Sequence, residues 1–326
     1  SDDLIGPLNP WTTWAGAGLG GDQWKDYWEE RYHLQDVLDN YEGSVYLVWG
    51  FQDWNVDPYH AYPAFEMLNR AGVHTRAISG QWAHNYPDQP GRHDDLNSGY
   101  GAEGFPNMSR MDWAIELFNW FNYYLKGIGD EPAAIAQVQT NDGHWHVEDT
   151  WPPEDIVWVG HELNAWDGGM SGTISATSSM TITSPELTEE VHISGLPTLH
   201  LDVRTFTCGG GQIFATMYDG TNGLRLGHAT MDVRYRDGGY DSQTTTPFTT
   251  YRMLMEFNPM DVIIPAGHTI QLVLSESGED YLPSPCAAFP LTIVAGMQTL
   301  GLPVIDRPAG DSHWFTVPQL ELEEAS

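Results

Sequence analysis

The stretch VYLVWGFQDWNVDP, Val45 to Pro58, opens with five residues that are apolar without alternation, then presents two carboxylates and two amides within eight positions. A continuous apolar run predicts a parallel strand covered on both faces, because a strand with one wet face alternates. Asp57-Pro58 predicts a helix start, with Asp as N-cap and Pro at the first helical position. Gly72 is the natural stop for that helix, and Val73 to Ile78 reads as a second strand. Strand, loop, helix and strand make one βαβ unit with a parallel pair.

Working outward, residues 1–43 are rich in tryptophan and glycine and turn helical around Trp24 to Arg31. Downstream, a polar loop from Gln81 to Asn107 leads to a strongly patterned helix. Ser109 with Asp112 makes a capping box, and Trp113, Leu117, Trp120, Phe121, Tyr124 and Leu125 share one face, which predicts a core-facing stripe. After Gly129-Asp130-Glu131-Pro132 the texture changes to short alternating segments. Leu199, Leu201 and Val203 alternate with polar neighbours, as do Ile270, Leu272 and Leu274, between glycine- and proline-containing turns. Period-two patterning of this kind predicts an antiparallel β-sandwich with Arg204 and Gln271 outside. The fold class expected is therefore α/β followed by all-β, with a boundary near residue 131.

The chain carries 45 acidic and 13 basic residues, a formal net charge of −32. That field repels a phosphate backbone and excludes nucleic acid as a partner. It fits either plain surface solubility or a high-salt environment in which self-repulsion is screened; the compartment is left open. No stretch approaches the ~18 consecutive apolar residues of a membrane span. Cys208 and Cys286 match no zinc spacing, and one disulfide between them is an open alternative.

Reacting groups in open α/β sheets gather beyond the carboxyl ends of the parallel strands. Asp53 follows the first strand and His84 the second, and neighbouring strands stand about 4.8 Å apart. An imidazole that carries a proton and a carboxylate that fixes its tautomer are two members of an acyl-transfer triad, and acid before histidine is the chain order of α/β-hydrolases. The plain alternative makes Asp53 a turn cap and His84 one loop histidine among 13. His144 and His146 form an i, i+2 pair without a third ligand, so no metal and no cofactor is expected.

Leu47 to Val56 resembles the acid-bearing segment of the X-prolyl dipeptidyl-peptidase and cocaine-esterase family of serine hydrolases, and Gly80-Gln81-Trp82-Ala83-His84 resembles its histidine segment. Trp28 to Tyr32, Phe118 to Gly127 and Val138 to Pro153 are similar to further stretches of the family. The resemblance implies the end of a cap region over 1–43, the C-terminal part of an α/β-hydrolase domain over 44–130, and a jelly-roll β-sandwich over 131–326. It also implies that Asp53 is the triad acid and His84 the general base. Trp54, Asn55 and Trp82 are then candidate substrate contacts. Asn55 and Asp57 can accept from a substrate ammonium, as can Glu29 and Glu30, although Asp57 serves equally as the helix N-cap.

One departure stands out: the family's serine sits in a G-x-S-x-G elbow ahead of the acid, and this sequence has no such motif. The expected function is the C-terminal part of a serine hydrolase that cleaves an ester or a peptide bond, such as an X-Pro dipeptide bond. The nucleophile is expected on an upstream segment or a partner chain, and a homo-oligomer is left open. The alternative is a non-catalytic sandwich that binds a ligand such as a glycan, joined to an inert hydrolase remnant.

Overall fold

The structure, a computed structural model, describes residues 29–53, 56, 58–84, 87, 105, 110–169, 171–206, 210–238, 243–278, 289–307 and 311–317. These are mostly β-sheet with few helices. After a short helix α1 (Leu34–Asn40), strand β1 (Ser44–Gly50) pairs in parallel with β2 (His74–Gly80), in a register that runs from Ser44 opposite His74 to Gly50 opposite Gly80. Helix α2 (Pro58–Arg70) joins them and ends at Gly72, whose φ of 79° a side chain would strain. The two faces of β1 are used differently. Leu47 and Trp49 pack with Tyr62 and Phe65 of α2, whereas Tyr46 and Val48 pack against the cluster of Ile78, Trp82 and Trp145, on which Trp113 of α3 (Trp113–Lys126) also rests. A helix on each face is why the β1 run is apolar without alternation.

The parallel pair grows into a five-strand sheet of order β1-β2-β3-β4-β17, adding β3 (Ala136–Gln139), β4 (Trp145–Glu148) and β17 (Trp314–Phe315). β3 is parallel to β2, and β4 and β17 continue antiparallel. The change of texture near residue 131 placed 136–148 with the sandwich; these strands pair onto β2 instead. Ala-Gln-Val-Gln reads as a half-wet strand, yet all four residues are buried. The glutamines are tolerated inside because they are hydrogen-bonded: Arg110 donates to Gln137 Oε1 at 2.8 Å, and Gln139 Oε1 accepts from the Gln81 backbone at 3.1 Å.

α3 also departs from expectation. Ser109 lies outside the described residues, and Asp112, the N-cap, makes no side-chain cap bond because its carboxylate holds the guanidinium of buried Arg110 at 2.7 and 2.8 Å. Trp120 is buried and meets Tyr46 at 5.3 Å between ring centroids, but Phe121 and Leu125 of the expected core stripe are exposed, as are Ile115 and Phe118. The helix is apolar on two sides and the sheet covers one.

Two antiparallel sheets follow. One has the order β11-β10-β14-β7: Arg225–Asp232, Gln212–Asp219, Ile270–Ser275 and Met180–Thr183. The other runs β13-β8-β16-β9-β15-β6: Met260–Ile264, Val191–Gly195, Thr299–Ile305, Thr198–Arg204, Leu291–Ile293 and Gly172–Ile174. β12 (Thr250–Glu256) adds to β9 and β5 (Val157–Glu162) to β16. Leu199, Leu201, Val203, Ile270, Leu272 and Leu274 are fully buried in one continuous core between the sheets, and Arg204 and Gln271 stay outside it, as the alternation requires. Trp151 ties the five-strand sheet to this region. Its ring packs on Phe51 and Tyr62, while its indole N–H donates to Ser194 of β8 and Asp261 of β13.

Candidate active site

Gly50 and Gly80 end the two parallel strands side by side, and the reason both are glycine is Trp82. A Cβ on Gly50 would stand 2.1 Å from the Trp82 carbonyl oxygen and 2.5 Å from its indole, and one on Gly80 2.1 Å from the indole, closer than atoms pack. The backbone then splices the two departing loops: Phe51 N–H donates to Gly80 O at 2.8 Å and Gln52 N–H to Trp82 O at 3.2 Å. Trp82, expected at a substrate surface, is a core residue instead. It is 1% exposed and packs against Trp145 at 5.9 Å, because a wide apolar ring fills the gap between strand ends better than it faces water.

These loops bring Asp53 and His84 together. His84 Nδ1 and Asp53 Oδ2 are 2.9 Å apart, and the other carboxylate oxygen, Oδ1, accepts from Val56 N–H at 2.9 Å. One oxygen thus shapes the acid's own loop and the other orients the imidazole. Asp53 is sheltered at 12% side-chain exposure, whereas the His84 side chain is 49% exposed. With Nδ1–H donating to the carboxylate, the tautomer fixed is the one whose Nε2 is basic, the arrangement that takes a proton from a hydroxyl brought to it.

Three glutamines cross-link the segments that carry the pair. Gln52 Nε2 donates to Gln81 Oε1 at 3.2 Å and to Leu226 O of β11 at 3.4 Å. Gln81 Nε2 donates to Gln139 O of β3 at 2.8 Å and to Asp261 O of β13 at 2.9 Å. All three are buried. The acid loop, the histidine loop and the sandwich backbone are therefore one hydrogen-bonded unit. Sequence reasoning missed this role; the available signal was a glutamine in each strand-end segment, adjacent to Asp53 and three residues before His84.

Trp54, Asn55 and Asp57 lie outside the described residues, as do His93, Cys208 and Cys286. Glu29 and Glu30 are exposed. His33 pairs with Asp36, His74 with Pro132 O and His144 with Asp142, all away from the Asp53–His84 pair in their contacts. His146 leaves its sequence neighbour His144 and turns into the interior.

A parallel strand pair thus presents a carboxylate-oriented histidine at its carboxyl end, backed by two antiparallel sheets. Residues 126–292, about half the chain, match the model of the X-Pro dipeptidyl-peptidase C-terminal non-catalytic domain, and the chain belongs to that family. It corresponds to the C-terminal portion of an X-prolyl dipeptidyl-peptidase or cocaine-esterase type hydrolase. A Bacillus anthracis protein named "Putative Xaa-Pro dipeptidyl-peptidase" is 23% identical over 320 residues, covering 88% of this chain and 49% of that protein. The chain thus spans about half the length of the curated relatives it matches. Among solved structures, an aminopeptidase from a marine sediment Thaumarchaeota archaeon superposes with a TM-score of 0.72 at 14% identity, over 94% of this chain and 61% of that one. A CocE/NonD family hydrolase from Staphylococcus aureus gives 0.57 at 13% identity, over 80% and 54%. The family match begins at residue 126, after both Asp53 and His84.

Proposed function

We propose that this chain supplies the acid and the general base of a serine hydrolase of α/β-hydrolase type, with a jelly-roll sandwich behind them, and that the nucleophilic serine comes from another segment or chain. The observation that carries the reading is the 2.9 Å Asp53–His84 contact at the paired ends of two parallel strands. Asp53 holds the imidazole through Nδ1 and stabilises the imidazolium. His84 takes the serine proton as the hydroxyl attacks the scissile carbonyl, then returns it to the leaving amine or alcohol. The names of the relatives point to peptides with an X-Pro N-terminus as the substrate class, and an ester is the other substrate of the same chemistry. Two features support the docking of a serine-bearing part. β1 hydrogen-bonds to β2 alone among the described strands, and Ile115, Phe118, Phe121 and Leu125 leave one side of α3 apolar and exposed.

The test is labelling by a fluorophosphonate probe. The 326-residue chain alone is expected not to react, and the assembly with the serine-bearing part is expected to label on that part and to hydrolyse an X-Pro p-nitroanilide. Asp53→Asn should cut kcat of the assembly by about 10⁴, the cost of a wrong tautomer. Labelling of a serine within residues 1–326 of the isolated chain, or an Asp53→Asn assembly of undiminished activity, rejects the proposal.

A further inference from the structure

A second cluster lies at the joint between the five-strand sheet and the sandwich. His146 of β4, His192 of β8 and Asp261 of β13 are all buried, and their ligating atoms lie within 4.8 Å of one another. Both imidazoles aim Nε2 at the same oxygen: Asp261 Oδ1 is 2.7 Å from His192 and 3.1 Å from His146. His146 and Asp261 are also held from behind. His146 Nδ1 lies 2.6 Å from Glu148 Oε1, and Glu148 is in turn fixed by Arg307. Asp261 Oδ2 accepts from Ser194 Oγ at 2.6 Å and from Trp151 Nε1 at 3.2 Å. A carboxylate behind a histidine and donors behind an aspartate are the outer contacts that orient metal ligands. Two imidazoles and one carboxylate suit zinc, and the ~3.4 Å separation that tetrahedral bonds of roughly 2.0–2.2 Å require is reached when the 2.7 and 3.1 Å contacts to Asp261 open by about 0.7 and 0.3 Å. A cavity of about 510 Å³, lined by Trp314, Glu190 and Arg307, reaches His192 of the cluster.

We propose that His146, His192 and Asp261, with a water as the fourth ligand, form a zinc site that clamps the five-strand sheet to the sandwich. It stands apart from the Asp53–His84 pair and does not depend on the hydrolase reading. Binding releases the imidazole Nε2 protons to solvent and leaves His146 donating to Glu148 through Nδ1.

The experiment strips the full chain with a chelator, adds Zn²⁺ or Co²⁺, removes the excess and measures bound metal, the visible Co²⁺ spectrum and thermal unfolding. One ion per chain, the intense bands of a four-coordinate Co²⁺ site and a raised unfolding temperature are expected. His192→Gln keeps a side-chain N–H donor near Asp261 but gives up the imidazole, and it should lose all three responses. Glu148→Gln should weaken Zn²⁺ binding by about 10- to 100-fold. Failure of the stripped wild-type chain to take up either ion overturns the proposal. So does metal uptake that survives in His192→Gln. Should that variant not fold, a wild-type Co²⁺ spectrum without four-coordinate bands is equally fatal.

Discussion

The five-strand sheet and the sandwich behind it use the same apolar residue types to opposite ends. In the sandwich, Leu199, Leu201 and Val203 of β9 are fully buried and β9 is hydrogen-bonded on both sides. In the sheet, Val45 to Val48 of β1 are as apolar but only partly covered, with one hydrogen-bonded neighbour among the described strands. Leu125 of α3 is 75% exposed and Phe118 61%. One region closes its core from its own strands. The other presents, among the described residues, an apolar edge and an apolar helix side, the surface on which the proposed serine-bearing part would dock.

The contrast is sharpest in core deletions. Leu201→Ala in the sandwich is expected to cost about 2–5 kcal/mol in denaturant unfolding of the isolated chain, because the cavity it leaves is enclosed by both sheets. Val48→Ala at the sheet edge should cost less than about 1 kcal/mol there and more once the serine-bearing part is bound. Equal costs for the two in the isolated chain would end the distinction.

Gln81→Leu probes the link between the regions. It strips donors from Gln139 O and Asp261 O and leaves Gln52 with Leu226 O alone, so about 1–3 kcal/mol of stability should be lost. If the glutamine unit positions His84, kcat of the assembly should fall further than KM changes, and a pH–rate profile should shift. A stability loss with unchanged kinetics would make the glutamines structural only.

The smallest effect on the chain itself belongs to Leu125→Asp. An exposed position should change unfolding free energy by no more than about 0.5 kcal/mol, while binding of the serine-bearing part, followed by titration, weakens clearly. Unimpaired binding would move the docking surface off α3.

What the sequence determined by itself was whatever depends on local periodicity and on groups at the ends of elements. The unalternated run at 45–49 specified a strand covered on both faces, Gly72 specified the stop of α2, and the leucines of 199–203 and 270–274 specified which side of the sandwich faces inward. The meeting of Asp53 and His84 was legible for the same reason, since residues three and four places beyond the ends of paired parallel strands are carried to one side by those strands. Tertiary structure decided what depends on partners distant in the chain. Gln137 and Gln139 look wet until Arg110 and Gln81 supply their hydrogen bonds. Trp82 reads as a surface ring until Gly50 and Gly80 make room for it. His146 shares a dipeptide spacing with His144, yet it meets His192 and Asp261, 46 and 115 residues away. Periodicity is written in a window of a few residues, whereas satisfaction of a buried polar group is a property of the whole fold, and no local pattern encodes it.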